Sequence, residues 1–136
     1  MNDNDRPAQS RAKLRSTGGQ AAVLVIDDDR DIADAIGDVL RAGGYQVEIV
    51  DGGAPALARA ASAPPDLVLL DWRLPSEPAG AALVRRLREQ CGPLPIVVLS
   101  ADPHSLAEAR QAQVSDYVPK PFDVADLLHV VDTWTR

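Results

Sequence analysis

Five short apolar runs, each followed by a stretch with helical spacing of its apolar residues, constrain this chain more than any other feature. The runs cover residues 22–26, 45–50, 67–70, 96–99 and 116–119. Such alternation is the signature of an α/β domain built on a parallel sheet. LVLL and IVVL are apolar at every position, as expected of central strands covered on both faces by helices. YQVEIV alternates instead, which suits an edge strand. The first helix is expected over 30–42, with Ile32, Ile36, Val39 and Leu40 on one stripe and Gly43 and Gly44 as its stop signal. The second, near 55–62, begins with Pro55 and ends before Pro64 and Pro65. The third carries Leu83 and Leu87 one turn apart; the fourth, polar and shorter, lies near 104–112. The last turns Val124, Leu127, Leu128 and Val131 inward, and Trp72 and Trp134 read as packing residues.

With 136 residues, 46% hydrophobic and 25% charged, the chain suits one compact domain. Residues 1–20 lack periodic apolar positions and are expected to be a disordered tail, leaving 21–136 for the fold. No apolar run approaches the roughly 20 residues that span a bilayer, and the start MNDNDRPAQSR lacks the apolar core of a signal peptide. A cytoplasmic protein without membrane insertion is expected. Cys91 is the only cysteine, so neither an internal disulfide nor a cysteine cluster for zinc can form. The net charge is −6, and Arg6, Arg11, Lys13 and Arg15 in the tail make the folded part more acidic still, which disfavours direct binding of nucleic acid. His104 and His129 have no ligand partners at metal spacing, and neither a Walker loop nor a Gly-rich dinucleotide turn is present.

Chemistry-bearing residues stand at the carboxyl ends of four of the five runs, where open α/β sheets build their sites: Asp27 and Asp28, Asp71, Ser100 and Lys120. Right-handed crossovers allow the first strand to lie between the second and third, so that Asp27, Asp28 and Asp71 converge at the crevice where the winding reverses. Crowded carboxylates repel one another unless a cation sits among them, and a hard dication such as Mg²⁺ (or Mn²⁺) suits three oxygen donors. A lysine and a hydroxyl on neighbouring strands complete a shell for a phosphoryl group. Most of these features alone have a plainer explanation. DDDRD can be a helix cap with favourable charges at the dipole, Asp29 and Asp31 being its capping or solvated members. Ser100 can be a strand-end hydroxyl satisfied by backbone, and Lys120 a surface lysine. Asp71, directly after LVLL, resists such an explanation, because an unpaired carboxylate there is costly.

The segments VLVIDDD, LVLLDWRLP, VVLSA and YVPKPF, in this order and spacing, resemble the receiver domain of bacterial two-component response regulators over about residues 21–136. The resemblance implies a flavodoxin-like, doubly wound sheet of five parallel strands in the order 2-1-3-4-5, with five helices; Pro119 in the fifth run agrees with an edge strand. It implies that Asp27 and Asp28 hold the metal together with Asp71 and the backbone carbonyl of Arg73, and that Asp71 is phosphorylated. Ser100 and Lys120 then contact the phosphoryl group, Ser100 and Tyr117 act as the switch, and Lys120-Pro121 is a cis bond. The implied donor is a histidine kinase or histidine phosphotransfer domain, and the implied output surface is the fourth helix, fifth strand and fifth helix, read by a protein partner. Such a phosphoprotein assists its own phosphotransfer and autodephosphorylation without turning over small substrates.

Three departures stand out. The loop RLPSEPAG is one residue longer than the usual form and lacks the acidic residue before Gly80. Gln113 and Val114 replace the usual Gly-Ala step before Tyr117. Arg73 and Asp102 occupy positions that tune dephosphorylation in the family, and their opposite charges could pair across the mouth and obstruct water, or stand as two independent solvated side chains. Two other readings compete: a phosphatase of the haloacid-dehalogenase type with Asp27 as nucleophile and Asp29 as acid, and a receiver-fold interaction module that is never phosphorylated. The first meets Arg30 where such enzymes prefer Thr or Val. Since the sequence ends at Arg136, just after the fifth helix, the expectation is a phosphoryl shuttle or protein-binding switch without an output domain, or else a piece of a longer protein.

Overall fold

Adjacent residues of an extended strand point to opposite faces, so a strand that is apolar at every position needs a cover on both sides. The computed structural model, which describes residues 20–136, supplies both covers. The tail expected over 1–20 falls outside the described residues apart from Gln20. Strands β1 (Ala22–Ile26), β2 (Gln46–Val50), β3 (Leu67–Asp71), β4 (Ile96–Ser100) and β5 (Asp116–Pro119) form one sheet in the order β2-β1-β3-β4-β5. All four pairings are parallel. Between and after them run α1 (Arg30–Ala42), α2 (Gly53–Ser62), α3 (Gly80–Cys91), α4 (Pro103–Gln111) and α5 (Val124–Thr135).

The alternation divides the core in two. Leu24, Ile26, Val68, Leu70, Ile96 and Val98 face α2, α3 and α4 through Ala56, Leu57, Ala60, Leu83, Val84, Leu87 and Ala109. Val23, Val25, Leu67, Leu69, Val97, Leu99 and Val118 face α1 and α5 through Ala33, Ile36, Leu40, Leu127 and Val131. β2 is an edge strand of alternating exposure, as its sequence suggests, and Pro119 lies on the other edge. Because every strand runs the same way, all their carboxyl ends open on one rim.

Helix starts carry local signals. Asp29 caps α1, its side chain accepting the N–H groups of Asp31 and Ile32. Asp102 caps α4 by accepting from His104 N–H, with Pro103 at the first helical position. α2 begins two residues earlier than Pro55 suggested: proline is tolerated throughout the first turn, whose N–H groups have no partner within the helix. The last helix departs from its expected stripe. Val124 is 55% exposed, since it opens α5 at the carboxyl rim, beyond the end of the short β5. Trp134 is not a core residue either; it is exposed and donates its indole N–H to Asp116 Oδ2 at 2.9 Å. Gln113, which stands where the family favours glycine, adopts φ 61°, the left-handed turn that ends α4.

The 72–79 loop folds back onto the start of α2. A Cβ placed on Gly53 would lie 1.9 Å from the carbonyl oxygen of Pro78, so only glycine admits this approach. Glu77-Pro78 and Lys120-Pro121 are cis peptide bonds, the second as expected. Gly53→Ala must push the loop off α2; thermal melts should show a loss of about 1–3 kcal/mol, whereas an unchanged melting temperature would mean that the loop does not rest there in solution.

Candidate functional site

The parallel sheet delivers its polar residues to one rim. Asp27 follows β1 directly, Asp71 ends β3, Ser100 ends β4 and Lys120 follows β5. Asp27 is 2% exposed. Its Oδ1 accepts the N–H of Asp29 at 2.9 Å, which settles the register of the acidic run: Asp27 turns into the rim while Asp29 caps the helix. Its Oδ2 is buried with no hydrogen-bond partner. Asp71 Oδ1 accepts the N–H of Arg73 at 3.3 Å, which fixes the start of the loop that carries the Arg73 carbonyl. Asp28 is exposed, yet one oxygen from each of Asp27, Asp28 and Asp71 lies within 4.8 Å of the others. Lys120 Nζ stands between two of them, 3.7 Å from Asp27 Oδ2 and 3.9 Å from Asp71 Oδ1.

Asp71 shows the strain of this crowding. Burial, first, and the neighbouring Asp27 carboxylate push its pKa from 3.8 up to about 6, against the opposing pull of Lys120 and the Arg73 N–H. One ammonium at nearly 4 Å is a poor match for three carboxylates, and the orphaned Oδ2 of Asp27 awaits a further positive partner. Three hard oxygen donors, two of them buried, suit a dication of the magnesium or manganese kind. Among the described residues no other three His, Cys, Asp or Glu side chains come together in this way; His104 and His129 join no such group.

Around the carboxylates lies a second set of contacts. Ser100, 3% exposed, accepts the Asp102 N–H on its Oγ at 3.2 Å, and its carbonyl accepts the Lys120 N–H at 2.9 Å. Tyr117 is half-buried, with its hydroxyl against the carbonyls of Ser100 (3.3 Å) and Asp102 (3.2 Å). Arg73 and Asp102 form an ion pair across the mouth, so they are not two independent solvated side chains. Asp102 therefore caps α4, pairs with Arg73 and touches both Ser100 and Tyr117. The Asp102-Pro103 pair signals a helix start in the sequence, and opposite charges left the pairing with Arg73 open, but nothing local announces the contacts with Ser100 and Tyr117. The sequence also conceals the role of Trp72. It is buried as expected, yet it also donates its indole N–H to Glu108 Oε1 at 2.8 Å.

The raised pKa of Asp71 has a thermodynamic consequence. Between pH 3.8 and about 6 the folded protein holds a proton that the unfolded chain has released, so stability falls as pH rises through that window. Above it, ionised Asp71 works against the fold. Asp71→Asn should be more stable than wild type near neutral pH by about 1–3 kcal/mol. Melts should show the gap closing at pH below the ordinary carboxylate value, and closing at neutral pH when millimolar Mg²⁺ stabilises only the wild type. Equal melting temperatures at neutral pH without Mg²⁺ would refute the assignment.

Known proteins resemble this chain in sequence and fold. A family model described as the response regulator receiver domain matches residues 23–132. Response regulator MprA of Mycolicibacterium vanbaalenii is 39% identical over 109 residues, covering 78% of this chain and 46% of that protein. MprA of Mycobacterium avium is 38% identical over 109 residues, with 78% and 47% covered. The chain thus spans about half the length of these curated relatives. Among solved structures, the chemotaxis protein CheY4 of Vibrio cholerae superposes with a TM-score of 0.77 at 29% identity, covering 84% of this chain and 98% of CheY4. The receiver domain of NtrX from Brucella abortus gives 0.78 at 29% identity, covering 83% and 97%. Sheet order, acidic rim and sequence agree: the chain belongs to the receiver domains of two-component response regulators.

Proposed function

We propose that Asp71 accepts a phosphoryl group from a phosphohistidine on a histidine kinase or phosphotransfer domain, and that the modified site switches a protein-binding surface in a cytoplasmic phosphorelay. The observation that carries this reading is the set of charges at the rim: Asp71 Oδ1 lies 3.9 Å from Lys120 Nζ, and its carboxylate falls within 4.8 Å of those of Asp27 and Asp28. A nucleophilic carboxylate, a cation site and an ammonium are what phosphoryl transfer needs, since the chemistry consists mainly of positioning and charge neutralisation.

A pKa of about 6 leaves Asp71 ionised at neutral pH. Its oxygen attacks phosphorus as the P–N bond breaks, and the bonding pair returns to the imidazole nitrogen of the donor. Asp27, Asp28, Asp71 and the Arg73 carbonyl would hold Mg²⁺, which supplies positive charge for the phosphoryl oxygens. Lys120 leaves its place between the two carboxylates to pair with the transferred group. The Ser100 hydroxyl accepts from Asp102 N–H and so keeps its own proton to donate to a phosphoryl oxygen. Tyr117, whose hydroxyl rests on the carbonyls of Ser100 and Asp102, registers any shift of that segment. The donor docks on α1 and the loops around Asp71, because the phosphorus must approach in line. Output runs through α4, β5 and α5. The domain acts once per phosphoryl group and turns over no small substrate.

Incubation with Mg²⁺ and acetyl phosphate should add the mass of one phosphoryl group to the wild type and none to Asp71→Asn, and Lys120→Ala should slow the gain by at least about tenfold. Equal gain in Asp71→Asn would place the modification elsewhere. In this reading the ion pair between Arg73 and Asp102 slows hydrolysis of the phosphoaspartate by obstructing water. Arg73→Ala and Asp102→Ala should each shorten the phosphoryl half-life several-fold, as followed by intact mass; an unchanged half-life in both would remove the pair from the mechanism.

A further inference from the structure

The helix that carries the proposed output is held by little apolar packing. α1, α2, α3 and α5 bury Ile36 and Leu40, Leu57, Leu83 and Leu87, and Leu127 and Val131, whereas α4 buries only Ser105 and Ala109. The Oγ of Ser105 is buried without a hydrogen-bond partner, which weakens the seat further. Beside α4 an open cleft of about 970 Å³, lined by Trp72, Val84, Glu108 and Ala112 among others, leaves it room to shift. An element with so few buried apolar contacts sits at the low end of local stability, where single polar bonds decide its position.

Two consecutive residues supply such bonds. Trp72, next to Asp71, is 5% exposed and seated in the core with Leu83, Val84 and Leu87. Gly80 adjoins its ring, where a Cβ would be 3.5 Å from Cε2. From this fixed base the indole N–H reaches Glu108 Oε1 at 2.8 Å, near the far end of α4. Arg73 reaches the opposite end, the cap residue Asp102. The loop that begins at the phosphoacceptor therefore grips α4 at both ends.

We propose that the Trp72–Glu108 hydrogen bond is a strap that sets the resting place of α4 and opposes loading of Asp71, which makes Glu108, an exposed residue of α4, a positioning residue for the site. The signalling consequence rests on the phosphoacceptor reading above. Loading reshapes the loop after Asp71, and any movement of that loop relative to α4 stretches the strap. By reciprocity, cutting the strap favours the loaded form by the same factor.

Hydrogen exchange of the α4 amides in the unloaded full chain tests the strap, and beryllofluoride titration with Mg²⁺ tests its coupling. Trp72→Phe and Glu108→Ala should each speed α4 exchange about two- to tenfold, with no further gain in the double variant. Glu108→Gln, whose amide oxygen still accepts, should stay near wild type. Beryllofluoride should bind more tightly, by a similar factor, in Trp72→Phe and Glu108→Ala. Unchanged exchange, additive effects or a Glu108→Gln variant that behaves as Glu108→Ala would overturn the strap. Faster exchange with unaltered beryllofluoride affinity would overturn its coupling to the site. Failure of the phosphoacceptor reading is distinguishable from both: wild type itself would then bind no beryllofluoride, and the coupling would fall with it, while the exchange data would still decide the strap.

Discussion

Carboxylates at the end of fully apolar strands are the constraint on which the rest of this structure turns. Asp27 and Asp71 are buried because β1 and β3 are central, and those strands are central because both of their faces are covered. Ionised groups in that setting are unstable unless they are paired. Lys120 offers partial compensation from nearly 4 Å, the N–H groups of Asp29 and Arg73 offer more, and one oxygen of Asp27 is left without a hydrogen-bond partner. The site is thus held short of electrostatic balance. In the proposed function, a cation and an incoming phosphoryl group would supply the positive charge and the partner that this rim lacks.

The same logic extends to the helix beside it. A core of Leu, Ile and Val clamps four of the helices, whereas α4 presents a buried serine and a buried alanine to the sheet. Its place is set by polar contacts at its two ends, and these come from the two residues that follow Asp71. Asp102 concentrates the arrangement, since one residue caps the helix, meets Arg73 and supports Ser100 and Tyr117. Charge at the rim and position of α4 are consequently parts of one network, and an element so lightly packed can take a second arrangement without disturbing the core.

Much of this was legible along the chain. The five runs and their covered or half-covered character follow from side-chain alternation, a local property, and the expected span of α1 agrees with the structure at both ends. The rim positions of Asp27, Asp71, Ser100 and Lys120 were legible for the same reason: a residue that ends a parallel strand must lie on the carboxyl rim. Val124 misled because periodicity assigns a face to a helix but not the point where the sheet beneath it ends. Pro55 misled because proline marks the first turn without marking its first residue.

The sequence by itself determined the class and the side of the sheet on which chemistry could gather, because patterning acts over a few residues at a time; the full strand order came from the family resemblance, with which right-handed crossovers are compatible. Only the tertiary structure decided which side chains meet: Trp72 with Glu108, Arg73 with Asp102, Gly53 with the Pro78 carbonyl. Those contacts join distant segments, and their existence depends on loop paths and helix placements that no local pattern encodes. The same holds for the charge on Asp71. Its carboxyl is an ordinary one in the sequence, and burial beside Asp27 and Lys120 makes it the poised group of the rim.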